Sequence, residues 1–162
     1  MLAKKQRLSD TEKKFHRKIA AECFNRTWEY LKQENRSPDD DQMMLNLAHA
    51  SRYHWSVIGK PSNFAIGDWQ ISRVYSALNQ KEMAVHFAKT SLETCRKNDL
   101  SGWLLASAHE GMARAYVANR NYQFAREYLD KARQQLRSQV VDEEDLKTIS
   151  DQIDETERMI PK

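Results

Sequence analysis

Glycine and proline are scarce, with four and three in 162 residues. Collagen-like, low-complexity and turn-rich β-sandwich chains need more of both, so those classes are excluded. No apolar run approaches the roughly 18 residues that span a bilayer. Met1-Leu2-Ala3-Lys4-Lys5-Gln6-Arg7 leads into no apolar stretch of the kind that exports a chain. A cytoplasmic protein without membrane contact is expected. Cys23 and Cys95 are the two cysteines, both inside apolar helical patterns and in no paired motif. Buried, reduced thiols are therefore expected rather than a disulfide framework.

The signatures of chemistry are also missing. No two glycines are separated by one residue, and Gly59-Lys60-Pro61-Ser62 lacks the upstream glycine that would let backbone N–H groups cradle phosphate. His109-Glu110 has Ala113 where a zinc protease has its second histidine, and no histidine has a glutamate three residues before it. His16, His49 and His54 are the remaining metal candidates, since the first and second helices should pack together. His49 and His54 lie about 140° apart around a helix, however, which suits surface or packing histidines better than ligands. No serine or cysteine stands on a glycine-rich turn beside a base. Neither an enzyme nor a cofactor is expected.

What is present is helical periodicity. Ser9-Asp10-Thr11-Glu12 forms a capping box, and Phe15, Ile19, Cys23, Phe24, Thr27, Trp28 and Leu31 follow at spacings of three and four. They predict a first helix from about Asp10 to Glu34 with one buried face. Ser37-Pro38-Asp39-Asp40 starts a second, with the cap, the first-turn proline and the acids that the helix dipole favours. Met43 to Ile58 is apolar on several sides and predicts a central, largely buried helix, ended by Gly59 in a left-handed conformation and by Pro61. Four helices follow, over about Asn63 to Leu78, Lys81 to Lys97, Ser101 to Ala118 and Tyr122 to Arg137, with connections short enough to force antiparallel neighbours. Asp142-Glu143-Glu144-Asp145 opens a last helix whose narrow apolar stripe (Leu146, Ile149, Ile153, Ile160) fits a cap on a stack. About seven helices in an all-α chain result.

An internal repeat organises the middle of the chain. An offset of 41 residues relates Arg73 to Arg114, Tyr75 to Tyr116, Ala77 to Ala118, Ala84 to Ala125 and Ser91 to Ala132. A period of that size with two helices per unit is the mark of a helical array sharing one continuous core. The spacing Tyr75, Ala84, Ser91 and then Tyr116, Ala125, Ala132 resembles the tetratricopeptide repeat over residues 63–137. The period exceeds the usual 34 residues of that family, and its Trp-x-x-Leu-Gly start is absent. Ala48-His49-Ala50-Ser51-Arg52-Tyr53-His54-Trp55 and Gly67-Asp68-Trp69-Gln70-Ile71-Ser72-Arg73-Val74-Tyr75 are similar to segments of uncharacterised bacterial repeat-like proteins. The resemblance implies antiparallel helix pairs in a right-handed stack, as one helical-repeat domain over 1–162. Residues 1–58 form an N-terminal helix pair, 63–137 two repeat units and 142–160 a capping helix.

The resemblance also implies a concave groove lined by the first helix of each pair, with the residue two before the repeated aromatic pointing into it. Here that residue is arginine twice, Arg73 and Arg114, whose planar donor forks suit carboxylate or phosphate. Trp69 and Glu110 would add a stacking surface and a counter-charge. The competing account pairs each arginine with a carboxylate of its own fold, Asp68 or Glu110. Trp28, Trp69 and Trp103 sit at helical spacing from other apolar residues, so core packing accounts for most of them, and it competes with a second aromatic and basic cluster of Arg52, His54 and Trp55. The expected function is capture of a protein or peptide partner bearing an acidic group, without catalysis. The alternative is a nucleic-acid or ribonucleoprotein accessory role for the basic first helix (Lys13, Lys14, Arg17, Lys18). Residues 1–36 hold ten basic and five acidic side chains and residues 139–162 three and eight, so head-to-tail self-association is a third expectation.

Overall fold

The computed structural model describes residues 8–138 and 142–161. The N-terminal heptapeptide read above for an export signal lies outside them, as do its Lys4, Lys5 and Arg7. Among the described residues there are seven α-helices and no strands: α1 (Asp10–Leu31), α2 (Pro38–Ile58), α3 (Pro61–Ala77), α4 (Lys81–Lys97), α5 (Trp103–Ala118), α6 (Tyr122–Arg137) and α7 (Glu143–Arg158). The expected capping box of Ser9 with Glu12 forms, and the expected cap Ser37 completes a second box with Asp40, which fixes the starts of α1 and α2. Asn79, Asp99 and Arg120 take positive φ in the turns after α3, α4 and α5, the conformation that lets a short connection reverse the chain. Gly59 does not: its φ is −85°. A Cβ at Gly59 would lie 2.6 Å from the Trp55 carbonyl oxygen, so close approach rather than handedness explains that glycine.

The most extensive contacts join α1 to α2, α3 to α4 and α5 to α6, while α3 also packs on α5 and α7 on α5 and α6. Small residues hold the pairs close. Ser51 Oγ donates to the Ala20 carbonyl and Ser91 Oγ to the Ala65 carbonyl, each at 2.8 Å. The first pair is thus clasped like the second. Residues 41 apart also make matching contacts, since Tyr75 stacks on Phe87 and Tyr116 on Tyr128.

Two expectations about burial are corrected. Phe15 is 56% and Tyr53 62% exposed, so the apolar stripe of α1 begins lower, at half-buried Ile19 and buried Ala20, and α2 is covered on one side only. The central helices are α3 and α5, buried continuously over residues 67–75 and 106–115. Their glycines, alanines and serines let neighbours approach from several sides, a packing that large apolar residues would not permit. Cys95 is buried and Cys23 half-buried, both free. Burial pushes the Cys95 thiol up to about 11, which keeps it protonated and unreactive.

Candidate functional site

Trp69 and Arg73 lie one turn apart on α3, and Glu110 and Arg114 one turn apart on α5, so each pair shares a helix face. Packing α3 on α5 brings the four together, with Trp69 Nε1 donating to Glu110 Oε2 at 2.8 Å. Gly111 makes this possible, because a Cβ there would stand 2.7 Å from Trp69 Cδ1. Glu110 is fully buried. Its Oε1 accepts from Arg114 Nε at 2.9 Å and from Thr156 Oγ1 at 2.6 Å, and Arg73 Nη1 stands 3.6 Å away. Burial pushes the Glu110 carboxyl up, but Arg114, Arg73 and the hydrogen bonds from Thr156 and Trp69 outweigh it and hold it below the usual range. Glu110 is therefore a buried carboxylate between two guanidiniums.

The arginines do not face open solvent. Helix α7 lies across them, and Arg73 Nη2 donates to Glu155 Oε2 at 2.6 Å while Arg114 Nη2 sits 3.2 Å from the same oxygen. Arg114 Nη1 contacts Met159 Sδ at 3.5 Å. The Arg73 guanidinium also stacks over the Trp28 ring, 5.0 Å from its centroid. Glu155 is pushed up by burial and held down more strongly by Arg114 and Arg73, so it too is ionised at neutral pH. Two cations and two anions balance.

Between α1, α3, α5 and α7 a cleft of about 660 Å³ remains, walled by Trp28, Leu31, Arg73, Arg114, Gln152 and Glu155 among others. An aromatic lobe of about 320 Å³ adjoins it, walled by Phe24, Trp28, Ile66, Trp69, Trp103 and Ser107 among others. Trp28, Thr148 and Gln152 border both lobes.

All four residues singled out in the sequence meet at one place. The groove they were expected to line is occupied by the chain's own last helix, and Glu110, not Asp68, is their internal carboxylate. Asp68 instead accepts from Arg52 Nε at 2.8 Å. Of the expected basic and aromatic cluster, Arg52 thus pairs with Asp68 and His54 with His16. Sequence reading missed Glu155, Thr156 and Met159, whose only signal was the narrow stripe of α7. Trp28 was read as core and proves to be a wall of the cleft.

The three candidate metal histidines do not converge. His16 and His54 meet with their Nδ1 atoms 2.9 Å apart, whereas His49 Nε2 lies 3.1 Å from the Tyr75 hydroxyl. No group of three or more metal-ligating side chains is assembled among the described residues. On the basic face of α1, Lys13 pairs with Asp10 and Lys18 with Glu22 of the same helix. No described helix is long and apolar enough to cross a membrane. No family model matches the chain, and comparison with curated proteins and with solved structures returns no match.

Proposed function

We propose that the protein is a cytoplasmic interaction module without catalytic activity or cofactor, built as a right-handed, tetratricopeptide-like stack of helix pairs. It takes an acidic segment of a protein partner on the face formed by α1, α3 and α5. Arg73 and Arg114 receive the carboxylate, Glu110 fixes their orientation, and Trp69 supplies an apolar surface beside them. One observation carries this reading: the two guanidiniums already hold a carboxylate presented by a helix, that of Glu155. The partner segment competes with α7 for the same donors. Residues 41 apart lying side by side, Trp69 against Glu110, support the repeat register on which the groove depends.

The test is recovery of partners from lysate at moderate salt by the wild type, Glu155→Gln and the Arg73→Gln plus Arg114→Gln variant, matched for helical circular dichroism. A protein enriched by Glu155→Gln and lost from the double variant identifies the partner. Equal recovery by all three overturns the assignment. Polyanion binding through α1 is the weaker reading, because Lys13 and Lys18 are partly neutralised within their own helix. It requires retention that falls steeply with added salt.

A further inference from the structure

Six buried side-chain polar atoms lack a hydrogen-bond partner among the described residues. Of those in residues that wall the two lobes beneath α7, Ser107 Oγ and Gln152 Oε1 have no partner of any kind, while Arg73 Nη1 and Arg114 Nη2 are held only in ion pairs, 3.6 Å from Glu110 and 3.2 Å from Glu155. Native interiors rarely leave such atoms unpaired, and where they cluster a missing occupant is one explanation. Ser107 is 1% exposed, so bulk water does not satisfy it freely. The polar groups of the walls are ordered by chemistry. The cleft end offers guanidinium N–H donors, the junction offers the Gln152 carbonyl oxygen, and the far lobe offers a hydroxyl inside a wall of Phe24, Trp28, Trp69 and Trp103.

From this arrangement we propose that the space beneath α7 is a binding site for a small aromatic carboxylic acid, its ring among the tryptophans and its carboxylate on Arg73 and Arg114. The combined space is of the size that takes compact ligands, with four aromatic side chains gathered in the smaller lobe and a mainly polar and charged wall in the larger one. Net charge decides how the acid enters. Glu110 and Glu155 already balance the arginines, so an added carboxylate takes the place of Glu155, which is 48% exposed at the side chain and turns out to water. Only that side chain moves. Helix α7 stays docked through Thr156 and through Ile149 and Ile153, which belong to the core cluster. The inference therefore goes beyond the partner reading: a small acid requires α7 in place, whereas a partner segment displaces it.

The experiment titrates the full chain with 2-naphthylacetate, with its neutral alcohol counterpart 2-naphthaleneethanol and with acetate alone. Calorimetry measures affinity and the tryptophan Nε1–H signals in proton–nitrogen spectra report the location. The expected result is that the signals of Trp28, Trp69 and Trp103 shift while that of Trp55, outside the lobes, does not. Naphthylacetate should bind at least tenfold more tightly than the alcohol and raise the thermal midpoint. Glu155→Gln should tighten naphthylacetate several-fold by removing the competing carboxylate, and Ser107→Leu, which fills the aromatic lobe, should abolish it. Ser107→Ala removes only an unpaired hydroxyl, keeps the fold, and should weaken binding two- to fivefold. Equal affinity for acid and alcohol, no change with Glu155→Gln, or shifts spread equally to Trp55 overturns the proposal. Loss of α7 amide protection on adding naphthylacetate also overturns it. Failure here together with partner capture sensitive to the Arg73 and Arg114 substitutions leaves the partner reading standing alone.

Discussion

Glu110 is the residue on which the site turns. A carboxylate with no exposure is tolerable only when paired and fully hydrogen-bonded, and Glu110 has donors from α3, α5 and α7 at once. Replacing it with glutamine keeps the shape but withdraws the charge that offsets two buried guanidiniums, and it turns amide N–H groups toward existing donors. Breaking one side of a buried charge pair costs about 3–5 kcal/mol, so Glu110→Gln should lower unfolding stability by that amount in urea titration. Glu155 is half-exposed on the opposite side of the same arginines. Its glutamine variant should cost less than about 1 kcal/mol, the range of solvent-screened pairs. A loss below about 1 kcal/mol for Glu110→Gln would show that the arginines find compensation elsewhere and that Glu110 does not organise them.

At the level of elements, the turns carry the repeat as faithfully as the helices do. Asn79 and Arg120 occupy equivalent positions 41 residues apart, with φ of 55° and 56°. Asparagine visits this left-handed region readily, whereas an L-residue with a long side chain pays roughly 1–2 kcal/mol for it. Arg120→Asn should therefore stabilise the chain by roughly 1 kcal/mol, read as a rise in the urea midpoint at constant slope. An unchanged or lower midpoint would mean that the arginine side chain returns the cost through contacts of its own. The left-handed turn residues were not legible in the sequence, which pointed to Gly59 instead, but the caps of α1 and α2 and the bounds of α4 and α6 were, where polar turn residues interrupt a clear period. Burial was less legible. The period of α1 assigned Phe15 to a covered face, but it meets α2 at the His54 ring and stays 56% exposed. Apolar content marked α2 as central, whereas α3 and α5 are central because their small residues admit neighbours. The likeness of the first pair to the second was hidden by length, since Ala20 and Ser51 are 31 residues apart and Ala65 and Ser91 only 26. Arg73 and Arg114 were found because they repeat, and Trp69 and Glu110 as their neighbours on the same helix faces. Glu155 was not, because a polar residue on a terminal helix carries no mark of where that helix docks.

Taken as one molecule, the fold buries ionisable groups of both signs, and its response to acid follows from their directions. Burial drives the His109 imidazole down to about 4, and the nearby charges of Arg96 on α4 and Lys131 on α6 add to the effect. His49 and His54 are lowered as well, His49 by burial and His54 by burial and then by His16. A histidine whose folded pKa lies below its unfolded value of 6.5 binds fewer protons folded than unfolded between the two values, so stability rises with pH across that window. The contribution is intact above about pH 6.5 and is lost as pH falls toward the folded value of about 4. Glu110 and Glu155 act in a second, more acid stage. Their folded pKa values lie below the ordinary 4.5, so what they contribute is present above that pH and is lost as it falls through the lowered values. Urea midpoints followed by helical circular dichroism should thus be level above about pH 6.5, decline first through histidine protonation, and fall again below pH 4.5 as the carboxylates take up protons. His109→Gln removes the most strongly shifted histidine and leaves the arginine–glutamate network in place. It should flatten most of the decline between about pH 6.5 and 4.5, leaving the portion due to His49 and His54, with the steeper acid limb unchanged. An intact upper decline in that variant would assign the sensitivity to the α1–α2 end of the molecule, where His16 and His54 face each other, rather than to the packing of α5 on α6.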